Sequence, residues 1–145
     1  MTRSFRPKVV VADDHPGALH AVRKLLAEGF HVVAAVPNGE LALHAVAQFD
    51  PDLVILDICM PRLDGLLTAR ELKAKGFKGP IVFLTVQEDE DYIFAAQALG
   101  ALGYVLKSRM RTDLLSAIDE ALAGRAFISS ISSQSALHWM RKAAD

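Results

Sequence analysis

Five side chains in this 145-residue sequence have the chemistry to handle a phosphoryl group. Asp13 and Asp14 are adjacent, Asp57 stands apart, Thr85 offers a hydroxyl and Lys107 an ammonium. Each follows a short apolar run, so a fold that aligned the ends of those runs would gather all five. Three carboxylates in one place repel, and a single ammonium leaves two negative charges without a partner. One divalent cation cancels that remainder. An open, all-oxygen site suits Mg²⁺, which keeps several waters and shares a phosphate, with Mn²⁺ as a substitute. His15 lies beside the pair, but nothing in the spacing recommends a softer metal. A carboxylate can also act as a nucleophile and form an acyl phosphate. That transfer needs in-line positioning and positive charge at the phosphoryl oxygens. Lys107 and the metal would supply the charge, Thr85 a hydrogen bond, and Asp57, at the end of the middle run, the attacking oxygen.

The elements that must position these groups are legible as alternating patterns. Five β-branched, nearly continuous apolar runs lie at 9–12, 32–36, 53–56, 81–84 and 104–106. Strands buried on both faces of a parallel sheet read this way. A helical stripe follows each run, for example Leu19, Val22 and Leu26 after the first and Leu114, Leu115, Ile118 and Leu122 after the fifth. Asn38-Gly39, Asp50-Pro51, Gly76 and Gly79-Pro80 punctuate the boundaries. Five β-then-α units predict a doubly wound α/β sheet with right-handed crossovers. In such sheets ligands collect beyond the carboxyl ends of the strands, where the five groups stand.

Composition narrows the classes. With 52% hydrophobic residues and a net charge of −1, the chain has enough apolar material for one packed domain and is not disordered. The charge gives no reason for non-specific binding to nucleic acid or an anionic membrane. No run approaches the ~20 apolar residues of a membrane span. The basic start leads into only four apolar residues, too few for a secretory signal. The single Cys59 excludes an internal disulfide and a paired-cysteine zinc site. A cytoplasmic location is the expectation.

The set Asp13-Asp14, Asp57-Ile58-Cys59-Met60-Pro61, Asp64-Gly65, Thr85 and Gly103-Tyr104-Val105-Leu106-Lys107 resembles the receiver domain of bacterial two-component response regulators. The stretch from Leu99-Gly100-Ala101 to Lys107-Ser108 looks most like the LuxR/NarL-type subfamily, whose receivers precede a helix-turn-helix DNA-binding domain. The resemblance implies a flavodoxin-like, five-stranded parallel sheet in the order 2-1-3-4-5 with five surrounding helices. It implies that Asp57 is the phosphoacceptor, served by a sensor histidine kinase or a phosphotransfer protein. Asp14, Asp57 and the Cys59 backbone carbonyl would hold Mg²⁺, with Asp13 acting through water, while Lys107 pairs with Asp57 and then with the phosphoryl oxygens. Thr85 and Tyr104 would form the switch, the aromatic ring turning inward as the hydroxyl approaches the phosphoryl group. Cys59 and Gln87, each two residues past a site residue, would tune the lifetime of the acyl phosphate.

Plainer roles compete for single residues: Asp13-Asp14 as a helix cap, Thr85 likewise, Tyr104 as a core aromatic, Asp64-Gly65 as turn and cap chemistry. The coincidence at four strand ends favours the receiver reading. Its rivals are an Mg²⁺-dependent aspartyl-phosphate phosphohydrolase and a receiver-shaped module that binds without phosphorylation. The hydrolase would want an acid two residues past the nucleophile, where Cys59 stands. On this reading the chain is not an enzyme beyond slow self-phosphorylation and autodephosphorylation. Its domain spans 7–123, and 124–145 forms a linker, marked by the Ser-rich stretch 129–133, and a short helix from about 134 to 144. Twenty-two residues cannot build a helix-turn-helix domain, so these residues are expected to bind no DNA. A homodimer is a further expected assembly.

Overall fold

A computed structural model describes residues 5–129 and Trp139. The strands are β1 (Lys8–Ala12), β2 (His31–Val36), β3 (Leu53–Leu56), β4 (Ile81–Thr85), β5 (Gly103–Leu106) and β6 (Phe127–Ile128). The helices are α1 (Pro16–Leu26), α2 (Gly39–Phe49), α3 (Gly65–Ala74), α4 (Glu90–Ala98) and α5 (Met110–Leu122), with a short 3₁₀ turn over Lys107–Arg109. All pairings are parallel and the strand order is β2-β1-β3-β4-β5-β6. The expected order 2-1-3-4-5 holds, and the five-strand expectation is exceeded by one strand. β6 escapes pattern reading because two residues show no periodicity; its backbone simply extends the β5 edge.

Strand residues alternate between two cores, as the pleat requires. Val10, Ala12, Val54, Leu56, Phe83 and Tyr104 face α2, α3 and α4, meeting Ala42, Ala69, Leu72 and Ile93. Val9, Val11, Ile55, Leu84 and Val105 face α1 and α5, meeting Val22, Leu26, Leu114 and Ile118. Burying each large aliphatic side chain contributes about 1.5–3 kcal/mol, so the central strands set the frame from which the site projects.

The strand order reverses between β1 and β3, which opens a crevice at their carboxyl ends. Register brings Ala12 opposite Leu56, and Asp57 N–H donates to the Ala12 carbonyl at 3.0 Å. The residues that follow, Asp13 and Asp57, therefore emerge side by side.

The segment after α5 differs from a linker. Ser129, read as part of a Ser-rich connector, is buried, and its N–H donates to the Tyr104 carbonyl at 2.8 Å. Its hydroxyl donates to Asp113 Oδ2 at 2.7 Å and accepts from Leu106 N–H at 3.1 Å. Apart from Trp139, the expected tail helix lies outside the described residues.

Candidate functional site

The site is a buried anion pair bridged by one cation. Lys107 Nζ lies 2.7 Å from Asp13 Oδ2 and 2.9 Å from Asp57 Oδ2. The two carboxylates are only 3% and 5% exposed, so little water shares their charge. Burial pushes the Lys107 ammonium toward deprotonation, but hydrogen bonds to Asp13 and Asp57 outweigh it and hold the pKa above the ordinary 10.5. The remaining carboxylate oxygens are oriented by backbone: Asp57 Oδ1 accepts from Ile58 N–H at 2.7 Å and Asp13 Oδ1 from His15 N–H at 2.9 Å.

Asp14 is more exposed and stands at the mouth of the crevice. Sequence reading set His15 aside, yet its Nδ1 lies 3.3 Å from carboxylate oxygens of both Asp13 and Asp14. Ligand atoms of Asp13, Asp14, His15 and Asp57 all fall within 4.8 Å of one another. Three convergent carboxylates fit a hard divalent cation such as Mg²⁺.

Gly65 is a site determinant that sequence reading assigned only to turn chemistry. Its N–H donates to the Ile58 carbonyl at 2.7 Å, folding the loop after β3 back on itself. A Cβ there would collide with the Asp57 carbonyl oxygen, so only glycine lets α3 start this close to the acid. Asp64 caps the same helix, accepting from Leu67 N–H at 2.9 Å.

Thr85, buried at the end of β4, is not tied to the acids by the described hydrogen bonds; its Oγ1 accepts from Gln87 N–H at 3.2 Å. Tyr104 is buried, and its hydroxyl donates to the Gln87 carbonyl at 2.8 Å. Burial, and next the negative Asp57, raise the Tyr104 hydroxyl far above its usual range, so it serves as a neutral donor. The Gln87 side-chain amide reaches Cys59 Sγ at 3.2 Å. Gln87 thus touches Thr85, Tyr104 and Cys59 together. Beside Lys107 lies a cavity of about 750 Å³ whose lining includes His20, Lys24, Arg109 and Arg111, a basic wall between α1 and the start of α5.

A parallel α/β sheet with buried acids at its switch point and a lysine between them defines the receiver class of signalling domain. Residues 9–119 match the family model of the response regulator receiver domain, and the chain belongs to that family. It is 37% identical over 123 residues to the nitrate/nitrite response regulator protein NarL of Escherichia coli K12, covering 83% of this chain and 57% of NarL. The chain thus spans little more than half of that relative's length. Among solved structures, a LuxR-family two-component response regulator from Aurantimonas superposes with a TM-score of 0.85 at 27% identity, over 92% of this chain and 97% of that one. The isolated receiver domain of RcsB from Salmonella enterica, solved with the phosphomimetic BeF₃⁻, gives 0.82 at 27% identity, over 90% and 99%. The chain is a receiver domain of the two-component type, and its relatives include transcription regulators.

Proposed function

We propose that Asp57 accepts a phosphoryl group from a phosphohistidine and that the resulting charge resets the surface this domain shows its partners. The observation that carries this is the Lys107 bridge between two almost dry carboxylates, Asp13 and Asp57. A carboxylate oxygen of Asp57 attacks phosphorus, the P–N bond to the donor imidazole breaks, and the departing ring nitrogen keeps the electron pair and takes up a proton. Lys107 follows the charge from the carboxylate to the phosphoryl oxygens. Asp14, Asp57 and the Cys59 carbonyl, with Asp13 through water, would hold Mg²⁺, which would supply positive charge to the phosphoryl oxygens. Thr85 Oγ1, which accepts from Gln87 N–H, would turn its own O–H toward a phosphoryl oxygen, and Tyr104, bonded to the same Gln87, would register the change.

The donor is a sensor histidine kinase or phosphotransfer protein working in the cytoplasm. The basic groove beside Lys107 supports an acidic donor surface. DNA binding belongs to whatever output region such a receiver serves, and homodimers form through the receiver itself. Cys59 and Gln87 set the lifetime of the acyl phosphate, and net turnover is slow. The receiver unit starts near residue 7 and extends through β6 and Ser129, because both bond to β5.

Acetyl phosphate with Mg²⁺ should add one phosphoryl mass to the protein and none to Asp57→Asn. Sustained hydrolysis of p-nitrophenyl phosphate would instead favour a phosphohydrolase. An unmodified wild type, with a kinase supplied as well, would favour a binding module.

A further inference from the structure

Trp139 is the single tryptophan of the chain, ten residues beyond Ser129, and it is 1% exposed. Its ring meets Tyr104 edge-on, with centroids 5.9 Å apart at 67°. Tyr104 in turn is tilted against Phe83 at 6.5 Å, so three buried rings stand in series. The Trp139 carbonyl accepts from Gln97 Nε2 of α4 at 3.0 Å. The tryptophan therefore bridges β5 and α4 and covers the ring of Tyr104. From there, contacts reach the phosphoacceptor loop without a gap. The Tyr104 hydroxyl bonds the Gln87 carbonyl, and Gln87 bonds both Thr85 Oγ1 and the sulfur of Cys59, two residues past Asp57.

We propose that Trp139 is an intramolecular latch: the α4–β5 face is a docking surface for this tryptophan of the same chain, and docking is coupled to the state of Asp57. This rests on the phosphoacceptor reading above. Docked Trp139 and inward Tyr104 are one arrangement, because outward rotation of the tyrosine would break both the ring pair and the bond to Gln87. Binding equilibria that share a conformation are reciprocal, so a ligand at Asp57 that favours inward Tyr104 tightens the latch, and the latch tightens that ligand. The latch is also releasable. The buried indole Nε1–H has no hydrogen-bond partner among the described residues, a cost that offsets part of the packing gain.

Because no other tryptophan is present, fluorescence reads the latch directly. Acrylamide should quench the native full chain far less than the urea-unfolded chain. Tyr104→Phe, which keeps the ring, should preserve that protection, and Tyr104→Ala should lose it. A native tryptophan quenched as in urea, or protection unchanged in Tyr104→Ala, would overturn docking on Tyr104. For coupling, ¹⁹F NMR titration with beryllofluoride and Mg²⁺ compares wild type, Trp139→Ala and Trp139→Phe. The alanine variant should bind about three- to tenfold more weakly, the range one tilted aromatic pair supports, and the phenylalanine variant should recover most of that loss. Equal or tighter binding by Trp139→Ala would overturn the coupling. Failure of wild type to bind beryllofluoride would strike both the phosphoacceptor reading and the coupling built on it. The ligand-free quenching result would still decide docking alone.

Discussion

Lys107 is held between two carboxylates that are nearly dry, so its charge and theirs depend on one another. Removing the ammonium leaves buried acids without compensation, which costs about 3–5 kcal/mol when a buried pair is broken. Lys107→Met should therefore lower stability in metal-free buffer, and added Mg²⁺ should recover part of the loss; urea titrations with and without Mg²⁺ check this. The pH dependence has a definite sign. The folded pKa is raised, so the stability Lys107 contributes is complete below 10.5 and fades as pH rises through the higher folded value. Urea midpoints of wild type and Lys107→Met should converge in that alkaline range. A gap that stays constant would count against the bridge. The same residue scale shows what the sequence could not say about His15. Its position beside Asp13-Asp14 was plain, but its contact with both carboxylates depends on how the loop after β1 turns.

At the scale of elements, two glycines make opposite predictions. Gly65→Ala drives a methyl group into the Asp57 backbone and should destabilise by about 1–3 kcal/mol while slowing phosphorylation. Gly17, in the first turn of α1, has open space around it, so Gly17→Ala should stabilise by about 0.4–1 kcal/mol. Denaturant midpoints separate the two. β6 is held by a clamp that can be tested alone. Ser129→Ala would leave Leu106 N–H and one bond to Asp113 unmade, costing about 1–3 kcal/mol. Burial pushes the Asp113 carboxyl up, but hydrogen bonds from Ser129, Arg109 and Thr112 outweigh it and bring the pKa below the ordinary 3.8. The clamp therefore contributes fully above 3.8 and is lost as pH falls through the lower folded value. Acid titration should find the effect of Ser129→Ala shrinking below that pH. The β1 to β5 strands were legible because burial on both faces leaves runs of Val, Ile and Leu. The Ser129 clamp was not, because its partners Asp113 and Leu106 are remote in sequence and a serine stretch reads as a connector.

At the scale of the whole molecule, strand order gathers residues from four separate strand ends onto a common rim, and this was the most legible feature. Apolar runs located the strand ends, and chemistry at those ends suggested the ion and the nucleophile. Geometry places Lys107 between Asp13 and Asp57 and joins Thr85 and Tyr104 through Gln87. That hub is invisible in sequence because two of its bonds use backbone groups of Gln87. A global test of the acidic rim is thermal. Mg²⁺ binding only to the folded state should raise Tm, by up to about 2.7 kcal/mol of added stability at a hundredfold excess over Kd. Asp14→Ala should lose most of that gain, and an unchanged response would remove Asp14 from the ligand set.

Chemical trapping locates the carboxylate that becomes an acyl phosphate. After treatment with acetyl phosphate and Mg²⁺, borohydride reduction converts a phosphorylated aspartate to homoserine, which peptide mass spectrometry places in the sequence. Homoserine is expected at position 57, with none at 13 or 14 and none anywhere in Asp57→Asn. Homoserine at another aspartate, or its absence from a protein that has gained the phosphoryl mass, would contradict the phosphoacceptor role of Asp57.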